Sequence, residues 1–430
     1  MIQSGFIAAI DLGTSNIKGV VGRKNENSVI SILACKTIPS NNSIRRGLVY
    51  NIEDAGATVR GMVQMLENSL ENKIDKVYVS WAGQSLHTVE WCEKQSIAPG
   101  DTVTEEIITQ LRKSAERFTP DLKCSYAVGD VEYFIDGKSE KKPVGIACTQ
   151  IEAKYKIIAG RPNLKSNIEK SIKEKAGLKI AGNAVGALAS AAIALNDEEK
   201  ELGCAFVDFG AGTTTLSIYK GGILHRMVVV PFGGKNITDD ISELNFTKDQ
   251  AEALKIKYGK ATEHKHSSKL SSPFSSPFSL KPDTDFTEMN NVIKMRLDEI
   301  IANIEEQIRQ SGYEGQLGAG LVITGGASQL RNLDIYLTEK LKMPVRKASA
   351  KKTLVNNSPE QANDPALTQV LGMLFLATEN CAKIKVEESD EDTEAIKPKK
   401  ELRIKKPKDP NAPGLGKKIS DLFEGMFKEE

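Results

Sequence analysis

The sequence predicts an α/β protein made of two related domains that close on a shared ligand, and three stretches predict it. Ile7 to Gly22 reads IAAIDLGTSNIKGVVG: a small apolar strand, a turn holding an acid, a glycine and two hydroxyls, then a second strand. Phe206 to Tyr219, FVDFGAGTTTLSIY, repeats that order with Asp208, Gly210, Gly212 and the cluster Thr213-Thr214-Thr215. Leu321 to Leu330, LVITGGASQL, runs a strand into Gly325-Gly326 and on into a helix. Such a hairpin suits a phosphate. Gly13 lets backbone come close, while successive N–H groups and the hydroxyls of Thr14 and Ser15 can point at phosphate oxygens. Lys18 can reach back with a positive charge. Asp11 would face the Mg²⁺ that travels with a nucleotide, through water, because Mg²⁺ keeps much of its hydration. One turn of this kind is commonly just a turn. Its return in the second half, followed by strand–GG–helix, describes two domains around one nucleotide.

Asp11-Leu12-Gly13-Thr14, Asp208-Phe209-Gly210-Ala211-Gly212-Thr213 and Thr324-Gly325-Gly326-Ala327 resemble the phosphate 1, phosphate 2 and adenosine motifs of the actin, heat-shock chaperone and sugar-kinase superfamily. Within it, the chain resembles the FtsA family of bacterial cell-division proteins over nearly all of residues 1–384 and the tail after Gly414. The resemblance implies an actin-like two-domain ATPase fold of duplicated ribonuclease H-like domains, with an inserted α+β subdomain, a flexible linker and a C-terminal amphipathic helix. It assigns 1–83, 168–203 and 364–384 to the first domain and 84–167 to the insertion. Residues 204–246 and 318–363 fall in the second domain, 247–317 in an adenosine- and partner-binding subdomain, 385–414 in the linker and 415–430 in the helix.

Composition sets the bounds. A length of 430 residues allows two to four domains with ample core. A net charge of +1 with 27% charged residues carries no nucleic-acid signature. Six cysteines, at 35, 92, 124, 148, 204 and 381, form no CxxC pair or metal spacing. They read as small buried residues in a reducing compartment. Met1 to Gly5 leads into a strand without a basic region, and no apolar run approaches the ~20 residues of a membrane span, so the expected location is cytoplasmic.

Taken in order, Val29 to Thr37 is a third strand. Asn51 caps a helix to about Leu70, and KVYVS at 76–80 is a buried strand. Thr104 caps an amphipathic helix to Arg117, with Ile107, Ile108 and Leu111 on one face. Tyr126 to Phe134 and Ile151 to Ile158 read as strands. The resemblance gives this insertion subunit contacts in a filament and contacts to later division proteins. Asn167 to Gly177 reads as a helix, and Gly186 to Leu195 as a small-residue helix joining the halves. In actin the corresponding helix carries a glutamine that orients the attacking water. Here only Gly186 and Ala187 stand near that point, which implies at most a slow ATPase and primarily a scaffold.

Met227 to Pro231 reads as a strand, and Thr238 caps or enters a helix to Leu244. Thr247 caps a helix to Tyr258, on which Glu252 and Lys255 share a face. They read as a surface pair or, by resemblance to the AExxKxxxG pattern of the family, as adenosine contacts beside Gly325, Gly326 and Ala327. His264 to Asp285 is a Ser/Pro/Lys-rich loop. Asn291 to Gln310 is a long helix with an apolar stripe of Val292, Met295, Ile300, Ile301, Ile304 and Ile308. Arg296 lies outside the stripe; the resemblance implies that it meets the C-terminal peptide of the tubulin-like protein FtsZ. Asp364-Pro365-Ala366 opens a last helix beside the first connection.

Beyond it, acidic 387–394 and basic 397–408 cannot bury a core and read as linker. In the tail, Leu415, Ile419, Leu422, Phe423, Met426 and Phe427 form one apolar face with Lys417, Asp421, Glu424 and Lys428 opposite. A partner or a membrane interface fits such a helix, and the phenylalanines and upstream basic run favour membrane lipids. The expectation is an ATP- and Mg²⁺-binding protein that polymerises with itself and tethers the FtsZ ring to the cytoplasmic face of the membrane. Two rivals share the nucleotide motifs: a platform protein of a pilus or secretion machine, and a small-molecule kinase.

Overall fold

The computed structural model describes residues 5–262 and 286–383, apart from 352 and 356. The expected loop at 264–285, the linker and the C-terminal helix lie outside the described residues. The chain opens with β1 (Ile7–Leu12), buried at every residue, and folds back through β2 (Asn16–Lys24) and β3 (Ile30–Pro39). A short hairpin of β4 (Ile44–Arg45) and β5 (Leu48–Val49) leads to α1 (Ile52–Leu70). Asn51 caps α1 by accepting from the Asp54 amide, and Val59, Met62, Val63 and Leu66 bury its apolar face. β6 (Lys76–Trp81) then joins β1 in parallel.

The insertion contains β7 (His87–Ser96), α2 (Glu105–Arg117), β8 (Cys124–Ile135), β9 (Lys138–Glu140) and β10 (Gln150–Gly160). Ile97, Leu111, Ala115, Ile151 and Tyr155 form its core, and Thr104 caps α2 as expected. The chain returns through α3 (Asn163–Glu169), which starts four residues before the expected Asn167 and continues as a π-helical turn over Lys170–Lys175. β11 (Lys179–Val185), α4 (Gly186–Ala194) and α5 (Asp197–Leu202) complete the first half.

The second half holds β12 (Cys204–Phe209), β13 (Thr214–Lys220), β14 (Ile223–Val230), α6 (Gly234–Ser242), α7 (Lys248–Tyr258) and α8 (Thr287–Gln310). β15 (Leu321–Thr324), α9 (Leu333–Leu341), β16 (Val345–Lys347), α10 (Pro359–Asn363) and α11 (Thr368–Leu376) follow. The first sheet runs β11-β6-β1-β2-β3, and the second contains β16-β15-β12-β13-β14. In both, three parallel strands are followed by two antiparallel ones. The duplication read from two turns is therefore a duplication of whole sheets. Past β14, a single pairing of Val228 with His87 carries the second sheet into the strands of the insertion.

Four expectations need correction. α6 begins at Gly234, so Thr238 sits inside the helix, where its hydroxyl donates to the Gly234 carbonyl. α8 begins at Thr287 and buries Met289, Ile293 and Leu297 before Ile300, Ile301, Ile304 and Ile308. Val292 and Met295 flank this row, and Met295 is 73% exposed. β7 is a strand where the sequence predicts none, because HTVEWCEKQS places few apolar residues in register. It is held instead by pairing along its length with β10. All six cysteines are free, but only Cys204 and Cys381 are buried and Cys92 is exposed. Among the described residues no helix is long and apolar enough to cross a membrane.

Candidate functional site

The two hairpins are built to one plan. β1 and β2 pair through Asp11–Lys18 and Leu12–Ile17, leaving 13–16 as the turn. β12 and β13 pair through Asp208–Thr215 and Phe209–Thr214, leaving 210–213. Each turn opens on a glycine that backs onto the carbonyl closing it. A Cβ would stand 2.5 Å from that oxygen at Gly13 and 2.8 Å at Gly210, too close for any side chain. The tips meet: a Cβ on Gly212 would lie 2.8 Å from both Cγ2 and Oγ1 of Thr14. Thr14 Oγ1 accepts from the Gly47 amide at 3.1 Å, Ser15 is exposed, and Thr213 is buried.

Below the tips lie two buried carboxylates, Asp11 and Asp208. Ser80 at the end of β6 donates to Asp11 Oδ1 at 2.9 Å. Lys18 Nζ stands 3.9 Å from Asp11 Oδ2 and donates to the Ala366 carbonyl at 2.6 Å. Gln369 Nε2, from α11, donates to Asp208 Oδ2 at 2.8 Å. Burial raises the Asp11 carboxyl above its ordinary value, against the opposing pull of Lys18 and Ser80. Burial pushes Asp208 up to about 6; the Gln369 bond opposes this and the charge of Asp11 adds to it.

Two buried carboxylates that repel each other suit a divalent cation. Among the described residues no three His, Cys, Asp or Glu side chains form a ready metal cage. A cation here would need water and phosphate oxygens as further ligands, which is the coordination Mg²⁺ favours. The donor set at Asp11 and Asp208 fits that ion.

The third wall comes from β15 and α7. Gly325 has φ +87°, and a Cβ there would collide with Asp208 Oδ1 and the Phe209 carbonyl. Its N–H donates to the Pro365 carbonyl at 3.0 Å. Gly326 opens a 3₁₀ turn to Gln329, with open space where a Cβ would point. Ala327 lies against Gly234: a Cβ there would be 2.9 Å from the Ala327 Cβ. Lys255 Nζ donates to the Gly234 carbonyl at 2.8 Å and pairs with Glu252 at 2.7 Å. The structure thus brings Glu252, Lys255 and Ala327 together at the start of α6. Lys255 braces that turn, while Glu252 is the more exposed of the pair. Arg296 stands on α8, where it binds Asp240 through Nε at 2.6 Å and Nη2 at 2.8 Å and also pairs with Glu299.

Sequence reasoning missed Ser80, Gln369 and the carbonyls at 365–366. The available signals were a hydroxyl closing an apolar strand and an amide inside TQVLGMLFL. A separate cavity of about 380 Å³ is lined by Glu90, Glu132, Lys156, His225 and Tyr313. Its Lys156 is paired with Glu90 and Glu132, and Lys154 and Arg226 also line it.

A family model described as "Cell division protein FtsA" matches residues 205–372. The cell division protein FtsA of Porphyromonas gingivalis is 32% identical over 378 residues, covering 87% of this chain and 78% of the relative. That of Pseudomonas aeruginosa is 28% identical, covering 80% and 83%. That of Escherichia coli K12 is 26% identical, covering 87% and 91%. Among solved structures, the PilM-PilN type IV pilus biogenesis complex superposes with a TM-score of 0.60 at 17% identity, covering 86% of this chain and 97% of that one. The fold is that of the actin-like ATPases, and by its sequence the chain belongs to the FtsA family of cell division proteins.

Proposed function

We propose that this protein is a nucleotide-dependent scaffold of the division site. It would bind ATP, polymerise, anchor the FtsZ ring to the cytoplasmic face of the cell membrane and recruit later division proteins. The observation that carries this reading is the convergence of Asp11 and Asp208 beneath two matched hairpins whose tips touch at Thr14 and Gly212. Family membership supports the division role.

In this reading the backbone and hydroxyls of Gly13, Thr14, Ser15, Gly210, Gly212 and Thr213 hold the phosphates, and Lys18 neutralises them. Asp11 and Asp208 hold Mg²⁺, which offsets phosphate charge when bound. Gly325, Gly326, Ala327, Glu252 and Lys255 bound the adenosine. Hydrolysis is slow at most, because α4 opens on Gly186 and Ala187 with no acid or amide of its own. Arg296, with exposed Met295 beside it, meets the FtsZ peptide by sharing the guanidinium now held by Asp240. Residues 415–430 form the lipid anchor, and filament formation multiplies a marginal single-helix affinity by avidity.

Two measurements test this. Asp208→Ala is expected to abolish Mg-ATP binding in a titration; unchanged affinity would refute the site. Liposome flotation of the full-length protein beside a version ending at Gly414, with and without Mg-ATP, tests the tether. Flotation of the full-length protein alone, enhanced by Mg-ATP, is expected. Equal behaviour of the two would remove the anchor and favour a pilus-type platform protein, which has no need of that tail.

A further inference from the structure

We propose that Gln369 is the positioning residue for the Asp208 carboxylate, and that position 186 is glycine because the Gln369 amide fills the space a side chain would take. The proposal rests on the nucleotide reading above.

The duplicated sheets allow a residue-for-residue comparison. Asp11 pairs in register with Lys18 on one side and Ser80 on the other, and both reach its carboxylate. Asp208 has Thr215 and Thr324 at the same two places. Thr324, the counterpart of Ser80, points elsewhere: its hydroxyl donates to the Pro365 carbonyl at 2.9 Å and shares a hydrogen bond with Thr368 at 2.7 Å. Thr215 brings no charge. The donor to Asp208 comes instead from outside the sheet, as the Gln369 amide at 2.8 Å.

That amide is held from behind. A Cβ on Gly186 would stand 2.6 Å from Cδ and Nε2 of Gln369 and 2.8 Å from Oε1. Three residues further along α11, Gly372 lies so close to the Ala189 carbonyl that no side chain fits, which fixes the height of α11 on α4. The carboxylate is therefore clamped, with Oδ2 on the amide and Oδ1 against Gly325. A neutral amide aims the carboxylate without cancelling its charge. An ammonium in this place would compete with the cation that the carboxylate is proposed to hold.

The test uses the full-length protein and a fluorescent ATP analogue, titrated at fixed Mg²⁺ and again with Mg²⁺ varied, beside a thermal melt. Gln369→Ala is expected to raise the Mg²⁺ concentration for half-saturation roughly tenfold, the scale of one lost hydrogen bond to a charged group. Metal-free nucleotide affinity should stay within about twofold, because the amide acts on the carboxylate and not on the phosphates. Gln369→Asn, one methylene short, should shift the same way. Gly186→Ala should reproduce the shift while favouring the helix. The double variant should be no worse than Gln369→Ala alone, since one contact cannot be lost twice. An unchanged Mg²⁺ dependence in Gln369→Ala, or full additivity with Gly186→Ala, would overturn the proposal. A native protein that binds no nucleotide at all would instead overturn the site reading beneath it.

Discussion

The two hairpins share a frame and differ in what surrounds it. In both, an aspartate stands one residue before the end of a buried strand, a glycine opens the turn, and that glycine backs onto the carbonyl that closes it. The first aspartate takes its partners from its own sheet, Lys18 and Ser80. The second takes Gln369 from a helix across the molecule. The frame is backbone, so its geometry follows from strand register and from glycine where a Cβ cannot fit. The partners are side chains, and any element that passes within reach can supply one. Duplication has preserved what the backbone dictates and left the donors free to change.

The largest effect expected from breaking the frame is at Gly325. Its φ of +87° is strained for any other residue, and a Cβ would strike the very carboxylate that the second hairpin presents. Gly325→Ala should cost about 3 kcal/mol or more, combining backbone strain with overpacking. Gly326 is its neighbour and control. Nothing lies within 4 Å of a Cβ there, so Gly326→Ala should change nucleotide-free stability by no more than about 0.5 kcal/mol. Thermal melting of both variants decides it. Similar losses at the two positions would mean that Gly325 is not the point where frame and carboxylate meet.

A smaller effect comes from the carboxylates. Asp208 titrates at about 6 in the fold, above the ordinary 3.8, chiefly because it is buried. The fold favours its neutral form. The associated stability is present below about pH 4 and lost as pH rises through 6, so at neutral pH the nucleotide-free protein carries a cost of up to about 3 kcal/mol. Asp208→Asn removes that cost. Its melting temperature at pH 7.5 should rise by a few degrees, its stability should vary less between pH 4 and 7, and Mg-ATP should no longer stabilise it. Asp11→Asn should gain less, because it also strips Lys18 of its counter-charge. A lower melting temperature for Asp208→Asn at pH 7.5 would contradict the sign.

Which parts of this were legible in the sequence follows from range. The hairpins, the caps at Asn51, Thr104 and Thr247 and the small-residue helix α4 are written within a few neighbouring residues, and each stands where the sequence placed it. Ser80 and Gln369 reach aspartates 69 and 161 residues away, and no local pattern records such contacts. The missed phase of α8 has another cause. Val292 and Met295 are as apolar as Ile293 and Leu297, so composition alone could not choose the row that packs. β7 offers only Val89 and Trp91 as alternating apolar residues, too short a period to read, and its pairing with β10 is long-range. Lys255 holds the Gly234 carbonyl and Arg296 holds Asp240, two further contacts between separate elements that no local pattern records.

The smallest effect sharpens the asymmetry itself. Lys18 and Thr215 occupy equivalent places across the turn from their aspartates. If the first half alone supplies positive charge to a shared nucleotide, the two positions should respond unequally. Lys18→Met should weaken Mg-ATP binding about tenfold, the effect of losing one charge-assisted contact. It should also free the Ala366 carbonyl that Lys18 now holds. Thr215→Val keeps shape and burial and should change affinity by no more than about threefold. The comparison is a pair of titrations on folded variants with matched melting curves. Equal losses would mean that both hairpins contact the phosphates in the same way and that the division of labour between them is not real. A loss confined to Lys18 would mean that one hairpin contributes charge and the other mainly shape, with Gln369 maintaining the second carboxylate in place of a lysine.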